Sequence, residues 1–91
     1  MPLSRHMLSA MDLEKALDAV RTKTWYRMRQ KGRGAMASSQ EILGHIVDEV
    51  EEYRDEVHAK SDGEAKVQEL LDIAVAAIWG IASIRAGGTD R

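Results

Sequence analysis

The chain has 91 residues, a formal net charge of -2 and no cysteine. The length predicts one domain, the nearly balanced charge does not favour nucleic acid as a partner, and the lack of cysteine excludes disulfides and thiolate metal ligands. No uninterrupted apolar stretch reaches the roughly 18 residues of a membrane span and the first residues lack a secretory signal, so we expect a cytoplasmic protein without membrane contact.

The composition predicts an all-α fold, because the only proline is at position 2 and alternating apolar residues are rare. Residues 1–8 are predicted to form a flexible N-terminus. The first helix is predicted to begin near Ser9 or Asp12 and to end near Gln30, before a glycine-rich segment that starts at Gly32.

Basic residues crowd the end of the first helix, beside two aromatic residues, Trp25 and Tyr26. Such a segment is typical of a phosphate-binding surface with a base-stacking platform. It also fits a solvated helix end whose cations interact favourably with the helix dipole. The cations are Arg21, Lys23, Arg27, Arg29, Lys31 and Arg33.

The second helix is predicted to start at a capping box formed by Ser38 and Glu41 and to continue to about Lys60. Gly44 interrupts it and suggests that another helix approaches closely there. Apolar residues recur at helical spacing along it: Ile42, Leu43, Ile46, Val47, Val50, Tyr53 and Val57.

A turn at Ser61 and a second pair of Ser and Glu three residues apart, Ser61 and Glu64, predict a third helix from about Glu64 to Arg85. Beyond Asp72 this helix is apolar on every side, so it must be buried on more than one face. We therefore expect an antiparallel bundle of three main helices per chain over residues 9–86, completed by oligomerisation, with 87–91 as a short C-terminal tail.

Carboxylates form a stripe beside the apolar face of the second helix. At 100° per residue, Glu49, Glu52 and Glu56 share this stripe, whereas Asp48 and Glu51 point elsewhere. On the third helix Glu69 and Asp72 are three residues apart and share a face.

The two acidic pairs lie at similar distances from the turn, so antiparallel helices bring them to the same height. Four converging carboxylates repel one another unless a cation lies among them, and oxygen ligands suit Mg²⁺ or Mn²⁺. The alternative is a solvated acidic face without an ion. The predicted metal ligands are Glu49, Glu52, Glu69 and Asp72.

These residues also resemble a known family. Asp48-Glu49-x-x-Glu52, followed after sixteen residues by Glu69-x-x-Asp72, is similar to the acidic signature of the MazG-like all-α nucleoside triphosphate pyrophosphohydrolases. The resemblance covers residues 41–84, about half of the chain. It departs from the family pattern at Asp48, where the motif has Glu.

The resemblance implies that a Mg²⁺-dependent enzyme cleaves nucleoside triphosphates between the α- and β-phosphates, giving a monophosphate and pyrophosphate. It implies the same four ligands and a homodimer or homotetramer. Glu49 or Glu56 is then the candidate catalytic base.

Residues that bind the substrate are expected among the cations and the tryptophan near the acidic cluster. Each has a simpler alternative, a surface lysine or arginine or a core tryptophan. These candidates are Lys66, Arg27, Arg29, Lys31 and Trp79.

Two other functions stay open. The chain could be a non-catalytic helical module that binds a nucleotide, nucleic acid or a protein through its basic segment. It could also be a purely structural helical oligomer.

Overall fold

The computed structural model describes residues 4–89, which form three helices and no strand. The helices are α1 (Ala10–Lys31), α2 (Ser39–His58) and α3 (Gly63–Arg85). The all-α prediction is confirmed.

The first two helices begin at hydrogen-bonded serine caps. At α1, the Ser9 hydroxyl accepts from the backbone N–H of Asp12 and the Asp12 carboxylate accepts from that of Ser9, which is a complete capping box. At α2, the Ser38 hydroxyl accepts from the Glu41 N–H, but the Glu41 carboxylate accepts from Ala37. The predicted box at Ser38 is therefore only half formed.

The third helix starts differently from the prediction. Its N-cap is Asp62, whose carboxylate accepts from the Ala65 N–H at 2.9 Å. Ser61 instead donates its hydroxyl to the Glu56 carboxylate across the turn. The start signal read at Ser61 is thus wrong by one residue.

α3 lies between the other two helices: it packs extensively on α2 and less extensively on α1. All of the buried helical residues belong to α3, namely Val75, Ala76, Gly80 and Ser83. These are small or medium side chains, which lets the neighbouring helix come close.

Helix α2 comes close to α3 at Gly80. A Cβ on Gly80 would lie 2.8 Å from Cγ2 of Ile42, closer than real Cβ atoms allow. Gly44 has open space around it. The prediction of a close approach at Gly44 is therefore wrong. The close approach occurs at Gly80 of α3.

Residues 87–89 pack against the loop between α1 and α2. The Ser83 hydroxyl accepts from the Met36 N–H at 2.9 Å, and the Thr89 hydroxyl donates to the Met36 carbonyl at 2.8 Å. A Cβ on Gly88 would lie 2.6 Å from that of Ala35. This part of the predicted tail is docked, whereas residues 1–3 and 90–91 of the predicted terminal segments lie outside the described residues.

The predicted burial of α3 on several faces is incomplete within one chain. Ile81 and Ile84 are 54% and 58% exposed. Leu43 and Val47 on α2 are also exposed. Oligomerisation, which would cover such side chains, stays a prediction.

By length and composition alone α3 is apolar enough to cross a membrane, and it is the only such helix among residues 4–89. A core helix of a helical domain can have the same composition. Two carboxylates of α3, Glu69 and Asp72, would be costly inside a bilayer. The expected cytoplasmic location stays a prediction.

Candidate metal centre and adjoining pocket

The acidic residues meet because α2 and α3 form a hairpin with matched arm lengths. Glu49 lies nine residues before the last residue of α2, and Asp72 lies nine residues after the first residue of α3. At 1.5 Å per residue, both are about 13 Å from the turn. Glu69, one turn before Asp72, faces the same side.

Three carboxylates converge: Glu49, Glu69 and Asp72, which we call the acidic triad. One oxygen from each lies within 4.8 Å of the other two, and all three residues are half-buried. Two oxygens bound to one divalent cation lie at most about 4–5 Å apart, twice a metal–oxygen distance. The spacing therefore fits a single ion with oxygen ligands.

Two oxygens of the triad have no hydrogen-bond donor. Among the described residues, Glu49 Oε2 and Glu69 Oε2 are buried and unpartnered, and the Glu49 side chain is only 12% exposed. A buried carboxylate oxygen without a donor is costly. A cation would satisfy both atoms at once, so the residues fit a metal ion.

The electrostatics of the triad also favour a bound cation. Burial raises the pKa of Glu49 to about 7, together with a hydrogen bond to Glu52 and the charges of Glu52 and Asp72, while Arg27 lowers it. Burial also raises the pKa of Glu69, reinforced by nearby carboxylates, with Lys23 opposing. The site resists holding all of its negative charges without a compensating cation.

The other two predicted members lie at the edge of the triad. Glu52 is exposed and belongs to no group of three converging ligands among the described residues, although it raises the pKa of Glu49. Glu56 is half-buried and accepts from the Ser61 hydroxyl. Three of the four predicted ligands converge, and the roles assigned to Glu52 and Glu56 stay predictions.

Basic side chains approach the triad from two directions. Lys23 of α1 places its Nζ 2.9 Å from Asp72 Oδ1. His45 of α2, half-buried, has Nε2 3.8 Å from Glu49 Oε1, and this nitrogen has no hydrogen bond among the described residues.

A pocket of about 310 Å³ lies next to the triad, at the C-terminal end of α1. It reaches the triad through His45, one turn from Glu49. Its wall is made by two cations, an indole, a carboxylate, a histidine and the glycine-rich loop: Arg27, Lys31, Trp79, Glu41, His45, Gly32, Gly34, Ala35 and Met36. The combination of cations and an aromatic ring suits an anionic ligand that carries a planar base.

Three of the five predicted substrate-binding residues line this pocket, Arg27, Lys31 and Trp79. The Trp79 indole donates to the Gly34 carbonyl at 2.8 Å, which fixes both the ring and the loop. Arg29 and Lys66 are not in the pocket wall. Their binding roles are untested predictions.

Two features were missed from the sequence. In the sequence Lys23 is one of several cations on α1, and nothing in the spacing shows that its ammonium reaches Asp72. Ser83 and Thr89 carry no motif, yet their hydroxyls hold the pocket loop at Met36. Both depend on how distant segments pack.

Comparison of the chain with protein-family models, with curated proteins and with solved structures found no match. The resemblance to the MazG-like family stays a prediction.

Proposed function

We propose that this protein is a Mg²⁺-dependent nucleoside triphosphate pyrophosphohydrolase. The observation that carries the proposal is the acidic triad, whose buried, unpartnered oxygens lie next to a pocket lined by cations and an indole. The triad is the part that suits a hard divalent cation. The pocket suits the phosphates and the base of a nucleotide.

Each half of the site has a chemical task in this reaction. Magnesium bound by the triad would supply positive charge that neutralises phosphate oxygens, and Mn²⁺ would substitute for it. Arg27 and Lys31 would hold the phosphate chain, and Trp79 would offer an apolar surface to the base.

The chain's carboxylates would complete the hydrolysis. A water attacks the α-phosphorus, the bond from that phosphorus to the oxygen bridging to the β-phosphate breaks, and the water's proton passes to a carboxylate. The products are a nucleoside monophosphate and pyrophosphate. Glu49 or Glu56 would accept the proton.

The test is a panel of NTPs and dNTPs incubated with the protein with and without Mg²⁺, with pyrophosphate release as the readout. Release that depends on Mg²⁺ and is lost in Glu69→Gln would support the proposal. No release with any nucleotide at high protein concentration would refute it. Folding of the variant is verified by circular dichroism.

We further propose that the active form is a homodimer or homotetramer located in the cytoplasm. Exposed apolar side chains on α2 and α3, including Leu43, Ile81 and Ile84, favour self-association because water-exposed apolar area is unfavourable. Light scattering after size-exclusion chromatography tests this directly. A single monomer peak at micromolar concentration would contradict it.

A second candidate function is a non-catalytic nucleotide-binding module, favoured by the pocket alone. It predicts nucleotide binding that survives Glu69→Gln but is weakened by Arg27→Ala, without pyrophosphate release from the wild-type protein. Calorimetric titration with a nucleotide and the release assay together separate the two functions.

A further inference from the structure

Lys23 differs from the other lysines and arginines of α1 because its ammonium is anchored on another helix. Nζ lies 2.9 Å from Asp72 Oδ1, 3.0 Å from Gln68 Oε1 and 3.5 Å from the Gln68 carbonyl oxygen. An ammonium has three N–H donors, so these three acceptors satisfy it. Its side chain is 25% exposed, whereas that of Arg21 is 70% exposed.

This ammonium is a positive charge already seated against the acidic triad. Asp72 is one of the three converging carboxylates, and it is the one whose oxygen Lys23 contacts. The other two members, Glu49 and Glu69, each have one buried oxygen without a hydrogen-bond partner. The influence of Lys23 extends past Asp72, since it also lowers the pKa of Glu69.

From this geometry we propose that Lys23 is a positioning residue that serves as the resident counter-cation of the acidic triad, and that a divalent cation binds the triad only by displacing it from Asp72. The inference rests on the metal site of the proposed function. A divalent ion among the three carboxylates and an ammonium on one of them repel each other at short distance. The two cations therefore compete for Asp72.

The displacement also concerns how α1 is held. Within residues 4–89, Lys23 makes every hydrogen bond and ion pair that joins an α1 side chain to another helix. A cation that takes Asp72 from Lys23 removes one of these bonds. Occupancy of the triad and docking of α1 on α3 are thereby coupled.

The experiment measures the dissociation constant of Mn²⁺ by calorimetry for the wild type and for Lys23→Met. The expected result is tighter Mn²⁺ binding to the variant, on the order of tenfold, because the competing charge is gone. The matched control is Arg21→Met, which removes a positive charge from the same helix at a side chain paired only with Asp18. It should leave the constant unchanged within about twofold.

Two more variants keep the test decisive if Lys23→Met does not fold. Lys23→Gln retains an N–H donor without the charge and should also bind Mn²⁺ more tightly. Lys23→Arg retains the charge and should resemble the wild type. Unchanged or weaker binding in both uncharged variants would overturn the proposal.

Failure of the metal site itself gives a different result. If neither the wild type nor any variant binds Mn²⁺, the triad is not a metal site and both proposals fall. If the wild type binds nothing and the uncharged variants bind, Lys23 fills the site by itself and the inference about Lys23 holds. If the wild type binds and the variants bind equally, only the inference about Lys23 is wrong.

Discussion

The α2–α3 hairpin and helix α1 hold the two sides of the candidate site in different ways. The hairpin is packed along its length and carries the whole acidic triad. Helix α1 packs on α3 less extensively, has no buried residue among those the structure describes, and carries the cations Lys23, Arg27 and Lys31. The acids are thus held by the rigid scaffold, and the cations lie on the more loosely held helix.

This difference has a physical reason. Carboxylates that repel one another need a firm scaffold to stay together, because nothing in their own interaction favours convergence. Cations opposite an acidic cluster are attracted to it and need less packing to remain there. The comparison predicts that changes in the triad have larger effects than changes on α1.

The largest effect is expected from neutralising the triad. Glu49→Gln or Glu69→Gln should lower pyrophosphate release on the order of 100-fold or more, because the ligands that hold the cation are weakened. Mn²⁺ should raise the melting temperature of the wild type, and each of these variants should abolish that rise. The matched controls, Asp48→Asn and Glu51→Gln, alter exposed carboxylates on the same helix and should behave like the wild type.

The next effect is a pH dependence of stability without metal. The folded state keeps the Glu49 proton up to about pH 7, whereas the unfolded chain loses it near 4.5. Between these values the folded state binds more protons, so the free energy of unfolding falls as pH rises, by on the order of 2 kcal/mol. Glu69, whose pKa is also raised, contributes in the same direction.

Urea denaturation from pH 4.5 to 8 in the presence of a chelator measures this slope. Glu49→Gln should flatten it, because the amide does not titrate. Saturating Mn²⁺ should stabilise the wild type more at pH 8 than at pH 5. A slope of the opposite sign in this window would show that Glu49 is not held in a desolvated environment.

The packing of the hairpin is tested by a pair of glycine substitutions in helix interiors. Gly80→Ala should lower the free energy of unfolding by about 1–3 kcal/mol, since the new Cβ collides with Ile42. Gly44→Ala should raise it by about 0.5–1 kcal/mol, because alanine favours the helix and the position has open space. Equal effects at the two positions would contradict this packing, and urea denaturation distinguishes them.

The parts of the fold and of the site that the sequence predicts are those that depend on local interactions. Helix ends depend on caps and glycines a few residues away, so the sequence predicted them closely. The convergence of Glu49 with Asp72 was also predictable, because a short turn makes their heights calculable. Glu52 illustrates the limit of this reasoning. Helical phase places it on the same side as Glu49 but does not predict whether its carboxylate reaches the other ligands.

Contacts between distant segments were not predictable in this way. Three contacts depend on the relative rotation and offset of packed helices. They are the approach of Ile42 to Gly80, the ion pair of Lys23 with Asp72 and the hydrogen bond from the Met36 N–H to Ser83. No spacing within one helix encodes those quantities. The rotation of α1 about its own axis is the clearest case, because α1 is joined to the hairpin by a loop rather than a tight turn.

On the α1 side of the site, Arg27→Ala should raise KM for the nucleotide about tenfold and change kcat little, because a pocket cation is lost while the triad is kept. Arg29→Ala, an exposed cation outside the pocket wall, is the matched control. Steady-state kinetics on the best nucleotide of the panel measure both. A larger effect on kcat than on KM would place Arg27 in the chemistry rather than in binding.

The smallest effect is expected at the hydrogen bond from Met36, in the loop that lines the pocket, to Ser83. Ser83 is 3% exposed, and its hydroxyl accepts from the Met36 N–H. Ser83→Ala leaves that N–H without its partner and should lower the free energy of unfolding by about 1 kcal/mol. The loop should also become more mobile, which raises KM a few-fold. Mn²⁺ affinity should not change, because the Ser83 hydroxyl bonds to Met36 and not to a carboxylate of the triad. Ser61→Ala is the control for the mobility of the loop, since its hydroxyl donates to Glu56 at the α2–α3 turn and not to the loop. Hydrogen exchange of the Met36 amide provides the direct readout: unchanged protection in Ser83→Ala would mean that the contact of Gly88 with Ala35, rather than the hydroxyl, holds the loop in place.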